Sequence, residues 1–228
     1  MEQGYYAAML QLRGKRCVIA GGGKIAERKL RGLLEAGADR ITVIAPAASD
    51  YINRLAEKGI IELICREYRE EDARAATLIF AATNNKAANR FIADDGERFG
   101  ALVQLTDDGR SGDFITPSVV RRGHLLLAVT ASGESPALSA IIKRELEEQY
   151  AESYVDLTAR LGQLRRLAYE TLGGETGGKL EALLRLAAED VNTAAKQERC
   201  DVNDLHTTGF NDLGEWLSSL LHRIDRRL

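Results

Sequence analysis

A glycine-rich turn, Gly21-Gly22-Gly23-Lys24-Ile25-Ala26, carries the most specific chemical signature in the chain. It has the G-x-G-x-x-A spacing of a dinucleotide-binding loop. In such a loop Gly21 permits the tight turn, Gly23 lets a pyrophosphate approach, and Ala26 keeps the next helix close to the sheet. The free N–H groups and positive dipole end of that helix would hold the phosphates. The alternative is a turn without a ligand, whose three glycines would cost backbone entropy without compensation.

Small and polar residues follow two further predicted strands, at the sheet edge where open α/β folds bind their ligands. Ala82, Thr83 and Asn84 follow one strand, and we expect them to pass beneath a dinucleotide. A helix cap by Asn84 or Asn85 is the alternative. Asp107 follows the next strand, and its carboxylate could accept a proton as hydride leaves a substrate, although Asp-Asp-Gly is also a common turn sequence.

The second predicted strand ends at Ala45 and Pro46, without the acidic residue that commonly binds the adenosine ribose. No basic residue stands there to bind a 2′-phosphate, so the sequence favours NAD over NADP on this argument alone. We assign Ala45 and Pro46 to the cofactor site, with Ser49 or main-chain groups as candidates for binding the ribose.

Short apolar runs alternate with amphipathic stretches from residue 16 to residue 106, which predicts a Rossmann-like, doubly wound parallel sheet in an α/β protein. The predicted strands are Arg16–Ala20, Arg40–Ala45, Ile60–Arg66, Thr77–Thr83 and Ala101–Thr106. A further strand is predicted at His124–Thr130, followed by a helix that Ser135 and Pro136 open. Most of residues 152–228 are predicted to be helical, with a break at Gly173–Gly178.

These patterns divide the chain into three parts: an NAD-binding domain at 1–111, a small α+β segment at 112–150, and a helical C-terminal domain at 151–228. The middle segment, of about 40 residues, buries too little surface to fold alone. We therefore expect it to pair with a second subunit and act as a dimerisation segment.

The composition is that of a globular protein, with 45% apolar and 29% charged residues among 228. No apolar run approaches the roughly 18–20 residues that span a bilayer, and no secretory signal is evident, so we expect a cytoplasmic protein. A net charge of −3 argues against nucleic acid as a partner. The cysteines, Cys17, Cys65 and Cys200, suit reduced thiols, and we expect Cys17 and Cys65 in the core. The isolated histidines predict no metal site.

Several segments together resemble the precorrin-2 dehydrogenases, the sirohydrochlorin-forming part of siroheme synthases, over residues 8 to about 148. The resemblance rests on Val18-Ile19-Ala20-Gly21-Gly22-Gly23, Ala26-Glu27-Arg28-Lys29, Leu34-Glu35-Ala36-Gly37-Ala38, Ala81-Ala82-Thr83, Asp113-Phe114-Ile115 with Pro117-Ser118, and Ser132-Gly133-Glu134-Ser135-Pro136-Ala137-Leu138. A generic nucleotide-binding domain would share the glycines but not the last two segments. Gln104 stands where the family usually carries asparagine.

The resemblance implies a homodimeric enzyme that uses NAD⁺ to oxidise precorrin-2, a tetrapyrrole with eight carboxylates, to sirohydrochlorin. It implies a catalytic role for Asp107, pairing of subunits through Gly112–Tyr150, and a tetrapyrrole that packs between the cofactor and that segment. Basic and polar residues near this cleft would receive the substrate's carboxylates, although a solvated face is the alternative for each. These candidates are Arg110, Ser118, Arg121, Arg122 and Lys143.

Two other functions stay open at this point. Some members of the family also insert Fe²⁺ into sirohydrochlorin, which would make the chain bifunctional. A regulatory module that senses NAD(H) through the glycine turn and signals through the helical C-terminal region would need no carboxylate at Asp107.

Overall fold

A computed structural model of the chain describes residues 4–106, 112–173, 178–197 and 212–225. The chain forms two compact units. Unit 1 comprises Met1–Thr116 with Ser132–Glu134, and unit 2 comprises Pro117–Ala131 with Ser135–Leu228. The predicted domain boundaries at residues 111 and 150 stay predictions.

Unit 1 is built on a five-stranded parallel sheet with the strand order β3-β2-β1-β4-β5. The strands are β1 (Arg16–Ala20), β2 (Arg40–Ile44), β3 (Glu62–Ile64), β4 (Leu78–Ala81) and β5 (Leu102–Leu105). Helices α1 (Lys24–Glu35), α2 (Asp50–Glu57) and α3 (Lys86–Phe99) and a 3₁₀ helix at Glu70–Ala73 lie between them. This order, with crossovers between parallel neighbours, confirms the predicted Rossmann-like fold.

The core of unit 1 has two layers because β1 is buried on both faces. Cys17 and Ile19 pack with α1 and α2, whereas Val18 and Ala20 pack with α3, and all four side chains are fully buried. Alternation of successive side chains across a strand produces this division. Each fully buried large aliphatic side chain contributes about 1.5–3 kcal/mol of transfer free energy. The two layers therefore stabilise the sheet whose carboxyl edge carries the glycine turn.

The third strand is shorter than predicted. Ile60 was expected to begin it, but its N–H donates to the carbonyl of Leu55 at 3.0 Å and so closes the end of α2. Gly59, with φ +67°, permits that reversal. The strand also ends at Ile64, so Cys65 lies beyond it and is exposed. The expectation that Cys65 is a core residue is therefore wrong, while that for Cys17 is confirmed.

Unit 2 opens with an antiparallel hairpin of β6 (Ser118–Arg122) and β7 (Leu125–Val129). The helices that follow are α4 (Pro136–Gln149), α5 (Ser153–Thr171), α6 (Gly178–Gln197) and α7 (Leu213–Asp225). The predicted start of α4 is confirmed, because the Ser135 hydroxyl accepts from the Leu138 N–H at 3.2 Å. The strand β6 was missed, and His124 lies exposed in the hairpin turn, not in a strand.

The C-terminal helices of unit 2 share an apolar core, as their sequence periodicity predicts. Leu157, Leu164, Leu183 and Leu220 are nearly or fully buried there, and Trp216 packs among them. None of the helices within the described ranges is long and apolar enough to span a membrane.

Candidate functional site

The site begins at the carboxyl edge of the sheet, where Gly21 turns the chain from β1 towards α1. Gly21 has φ +128°, a conformation that side-chain-bearing residues rarely adopt. Its N–H donates to the Ile44 carbonyl at 2.8 Å, which ties the turn to the end of β2. A methyl group on Gly21 would lie 2.3 Å from the Ala82 carbonyl oxygen. Packing of the protein alone therefore requires glycine at this position.

Gly22 is fixed in the same way by the segment that follows β2. A methyl group here would lie 2.1 Å from the Ala47 carbonyl oxygen, and the Gly22 carbonyl accepts from the Ser49 N–H at 2.9 Å. The Ser49 hydroxyl caps α2 and also donates to the Glu27 carboxylate at 3.0 Å. The predicted cofactor residues Ala45 and Pro46 thus lie in a segment that is anchored directly on the glycine turn.

Gly23 differs from its two neighbours because nothing in the described protein explains it. A methyl group on Gly23 would have no heavy atom within 4 Å, and φ of −88° suits any residue. Gly23 is the N-cap of α1, and no described side chain caps the free N–H groups there. Lys24 and Ile25 are exposed, while Ala26 is fully buried. The N-terminal end of α1 therefore presents main-chain N–H donors that no described side chain caps.

The acidic residue in the first turn of α1, Glu27, does not cap these N–H groups. The Glu27 carboxylate binds the Arg31 guanidinium at 2.6 Å as well as Ser49. These hydrogen bonds, the one from Arg31 being the stronger, lower the pKa of Glu27, so it stays ionised and directed towards α2. The open donors and the positive end of the helix dipole are thus available to an anion.

Polar contacts fix the loop that follows β4, at the same carboxyl edge of the sheet. Thr83 donates from its hydroxyl to the Asn89 Oδ1 at 2.6 Å, and the Thr83 N–H and carbonyl also bind the Asn89 side-chain amide, each at 3.2 Å. Asn85 caps α3 by accepting from Ala87 and Ala88, whereas Asn84 is exposed. Ala82, Thr83 and Asn84 stay predictions as cofactor residues.

Sequence reasoning missed Asn89, which is only 1% exposed. A signal was present, since an amide-bearing residue on the buried face of a helix needs hydrogen-bond partners. Its partner, however, is the main chain of a loop, and single-sequence patterns do not disclose that contact.

The predicted catalytic residue Asp107 and the predicted substrate residue Arg110 lie outside the described residues. Thr106 before them and Asp113 after them are hydrogen-bonded to strands of the sheet. The Thr106 hydroxyl donates to the Ala81 carbonyl at 2.9 Å. Asp113 pairs with the edge strand β5 twice, because its N–H donates to the Val103 carbonyl at 2.8 Å and its carboxylate accepts from the Val103 N–H at 2.7 Å.

The remaining predicted substrate residues all belong to unit 2. Ser118 begins β6, and Arg121 is exposed on the same strand. Arg122 donates to the Tyr150 carbonyl at 2.8 Å and the Glu147 carbonyl at 3.3 Å, so its guanidinium ties β6 to the end of α4. Lys143 forms an ion pair with the Glu147 carboxylate at 3.2 Å. All four stay predictions as substrate ligands. The Arg122 guanidinium is already hydrogen-bonded within unit 2.

Comparison with known proteins agrees with this geometry. Residues 8–118 match the family model described as putative NAD(P)-binding. The solved structure of "SirC, precorrin-2 dehydrogenase" superposes with a TM-score of 0.68 at 29% identity, covering 95% of this chain and 98% of SirC. The precorrin-2 dehydrogenase of Priestia megaterium is 36% identical over 72% of this chain and 80% of its own length. This chain belongs to the precorrin-2 dehydrogenase family.

Longer relatives contain the same region. Siroheme synthase 2 of Yersinia enterocolitica is 30% identical over 92% of this chain, but that match spans only 46% of the relative. The chain thus spans about half the length of this siroheme synthase. In the family context, residues 8–118 are an NAD(P)-binding domain whose glycine turn has two positions fixed by packing and one left open.

Proposed function

We propose that this member of the precorrin-2 dehydrogenase family oxidises precorrin-2 to sirohydrochlorin with NAD⁺. The observation that carries the proposal is the open N-terminal end of α1 above Gly23, in a turn whose other glycines are fixed by the protein itself. A pyrophosphate matches this feature because it needs close main-chain approach and several N–H donors. The resident cofactor therefore fits the residues that are present.

The chain's own residues would bind and orient both partners. Main-chain groups of Gly21–Ala26 bind the pyrophosphate, Ala45 and Pro46 lie beside the adenosine, and Ala82–Asn84 pass beneath the other half of the dinucleotide. When bound, NAD⁺ supplies the hydride acceptor. Asp107 accepts the proton that precorrin-2 loses along with that hydride, which leaves sirohydrochlorin, NADH and one proton.

We further propose that the enzyme is a cytoplasmic homodimer whose subunits pair through residues 112–150. Exposed apolar side chains on β6 and α4 support this, since Val119 is 37%, Leu138 48% and Ile141 45% exposed. Burial of exposed apolar groups such as these against a protein partner is favourable. The acid groups of the tetrapyrrole would be received by Arg110, Ser118, Arg121, Arg122 and Lys143.

The decisive experiment is anaerobic turnover. Purified protein is mixed with enzymatically made precorrin-2 and either NAD⁺ or NADP⁺, and sirohydrochlorin is followed by absorbance. We expect product with NAD⁺ and its loss in Asp107→Ala, while Asp108→Ala serves as the neighbouring control. NAD⁺ binding without product, under conditions where a known dehydrogenase turns over, would reject the enzymatic proposal and favour an NAD(H)-sensing module.

A second candidate is the insertion of Fe²⁺ into the product, because relatives of this chain are named siroheme synthases. The described residues contain no group of three or more His, Cys, Asp or Glu side chains that could hold a metal ion. Repeating the turnover with Fe²⁺ and following siroheme absorbance distinguishes the two-step enzyme from a dehydrogenase alone.

A further inference from the structure

Lys29 is a partly buried lysine in the second turn of α1, on the side that packs against β4. Its ammonium donates to the Thr116 hydroxyl at 2.6 Å and lies 5.8 Å from the centre of the Phe80 ring. Phe80 in turn makes an edge-to-face contact with Phe114. The positive charge is therefore held at a fixed point by a hydroxyl and the face of one aromatic ring, against which Phe114 packs.

This ammonium has no anionic partner in the part of the chain that the structure describes. Burial first, and the like charge of Arg28 second, lower the pKa of Lys29 to about 8, and no carboxylate opposes them. A half-buried charge without a counter-ion destabilises a fold unless something supplies the missing charge. Groups with such perturbed pKa values concentrate at ligand sites. A ligand carboxylate would supply the counter-ion that the described residues do not.

The surroundings of Lys29 lie near the carboxyl ends of the central strands. Phe80 and Gln104 are register partners, each one residue before the end of its strand. Gln104 is buried, and its side-chain amide lies 3.5 Å from the Thr116 hydroxyl. Lys29 follows Lys24, the first residue of α1, by about 7.5 Å along the helix axis. This cluster therefore shares the sheet end at which the glycine turn lies.

We propose that Lys29 binds one carboxylate of the tetrapyrrole substrate, with Thr116 fixing the ammonium and Gln104 supporting Thr116. The inference rests on the proposed dehydrogenase function and adds a specificity residue to it. A carboxylate is favoured over a cofactor phosphate because the open donors at Gly23 already serve the pyrophosphate. A substrate with eight acid groups needs several such cations, and a charge-assisted bond to one of them fixes its orientation.

Steady-state kinetics of three variants test the proposal. Lys29→Gln removes the charge, and we expect KM for precorrin-2 to rise about tenfold or more, since a charge-assisted hydrogen bond is worth about 1.5–3 kcal/mol. The kcat should change little, because the bond is present in both the ground and transition states. Lys29→Arg should restore most of the affinity. Arg28→Gln, which removes an exposed charge from the same helix, is the matched control and should keep the wild-type KM when both are measured well below pH 8, where Lys29 is protonated with or without Arg28.

The pH profile provides a readout that a purely structural role would not change. Above about pH 8 the free Lys29 loses its proton, so KM in the wild type should rise there, while that of Lys29→Arg should stay level. The Lys29 ammonium contacts Thr116 and Phe80, and behind them Gln104 lies beside Thr116 and Phe114 packs on Phe80. None of these four side chains titrates. On the same helix, Arg28 is the like charge that lowers the pKa of Lys29 further.

A binding assay without turnover distinguishes failure of the Lys29 inference from failure of the proposed function. Uroporphyrin III, an octacarboxylate, is titrated by fluorescence quenching beside NAD⁺, and Lys29→Met replaces Lys29→Gln if the latter does not fold. Wild-type turnover with unchanged KM in the Lys29 variants would overturn this inference alone. An equal loss of NAD⁺ affinity in Lys29→Gln would also overturn it, by assigning the charge to the cofactor. Failure of the wild type to bind or turn over any tetrapyrrole would reject the proposed function together with it.

Discussion

An added methyl group should have different effects at two adjacent glycines of the turn, Gly22 and Gly23. Gly22→Ala places a carbon 2.1 Å from a main-chain oxygen and 2.8 Å from the Cα of Ala48, and neither atom belongs to a flexible side chain. Gly23→Ala meets no atom within 4 Å and needs no change in φ. We therefore expect the first variant to lose stability and the second to lose cofactor binding.

The magnitudes follow from these contacts. Relief of the Gly22 clash requires the segment after β2 to move by roughly 1 Å, which strains the Ser49–Gly22 hydrogen bond and costs about 1–3 kcal/mol, as overpacking usually does. Gly23→Ala should lower the free energy of unfolding by only about 1 kcal/mol, because glycine is preferred to alanine at an N-cap but the added methyl group meets no atom. Its methyl group would occupy the space that the pyrophosphate needs, and we expect NAD⁺ affinity to fall at least tenfold, or about 1.4 kcal/mol.

Urea denaturation measures the stability of both variants, and isothermal titration calorimetry with NAD⁺ measures their affinity. The wild-type protein and Gly32→Ala, a substitution at another uncrowded glycine of α1, serve as references. A Gly23→Ala protein that folds normally and binds NAD⁺ like the wild type would refute the reasoning that the open helix end is the pyrophosphate site. A fully stable Gly22→Ala protein would refute the packing argument instead.

Two further predictions concern buried polar residues of α3. Asn89→Ala removes three hydrogen bonds to Thr83, so urea denaturation should show a loss of about 2–3 kcal/mol, with weaker NAD⁺ binding if the loop after β4 contacts the cofactor. Asp95 is fully buried, and burial, followed by the Glu70 carboxylate, raises its pKa although Arg98 and the Tyr68 hydroxyl oppose them. The folded state then holds a proton that the unfolded state releases, so wild-type stability should fall as pH rises from about 4 through the raised pKa. Asp95→Asn should abolish that part of the slope in denaturation curves measured from pH 4 to 8, and an unchanged slope would contradict the assignment.

The sheet was predictable because its signals are local. Runs such as Arg16–Ala20 are short, apolar and separated by amphipathic stretches, and the glycine turn falls directly between a strand and a helix. Patterns of this kind specify an α/β fold without knowledge of any long-range contact. The beginning of α4 was predictable for the same reason, since a serine followed by proline starts a helix by its own chemistry.

Ile60 and β6 show where the sequence pattern is not enough, because the role of a residue there depends on a hydrogen-bond partner that composition does not identify. Ile60 is as apolar as a strand residue, yet it closes the end of α2 through a bond to Leu55. The strand β6 carries Arg121 and Arg122 at its end, a pattern that indicates a basic surface, and Arg122 is used inside unit 2. Composition and spacing do not reveal which carbonyl or carboxylate a long side chain will reach.

The same limit explains why the sequence did not predict Lys29 as a substrate-binding residue. It stands in an amphipathic helix where a lysine usually covers the surface, and only its contacts with Phe80 and Thr116 show that its charge is confined. A confined charge lowers stability, whereas a leucine or methionine of similar size would pack on Phe80 without that penalty. A protein under selection for folding alone has reason to replace it. The presence of Lys29 beside Thr116 and Phe80 is thus better explained by an anionic ligand than by packing, as expected where binding and stability conflict.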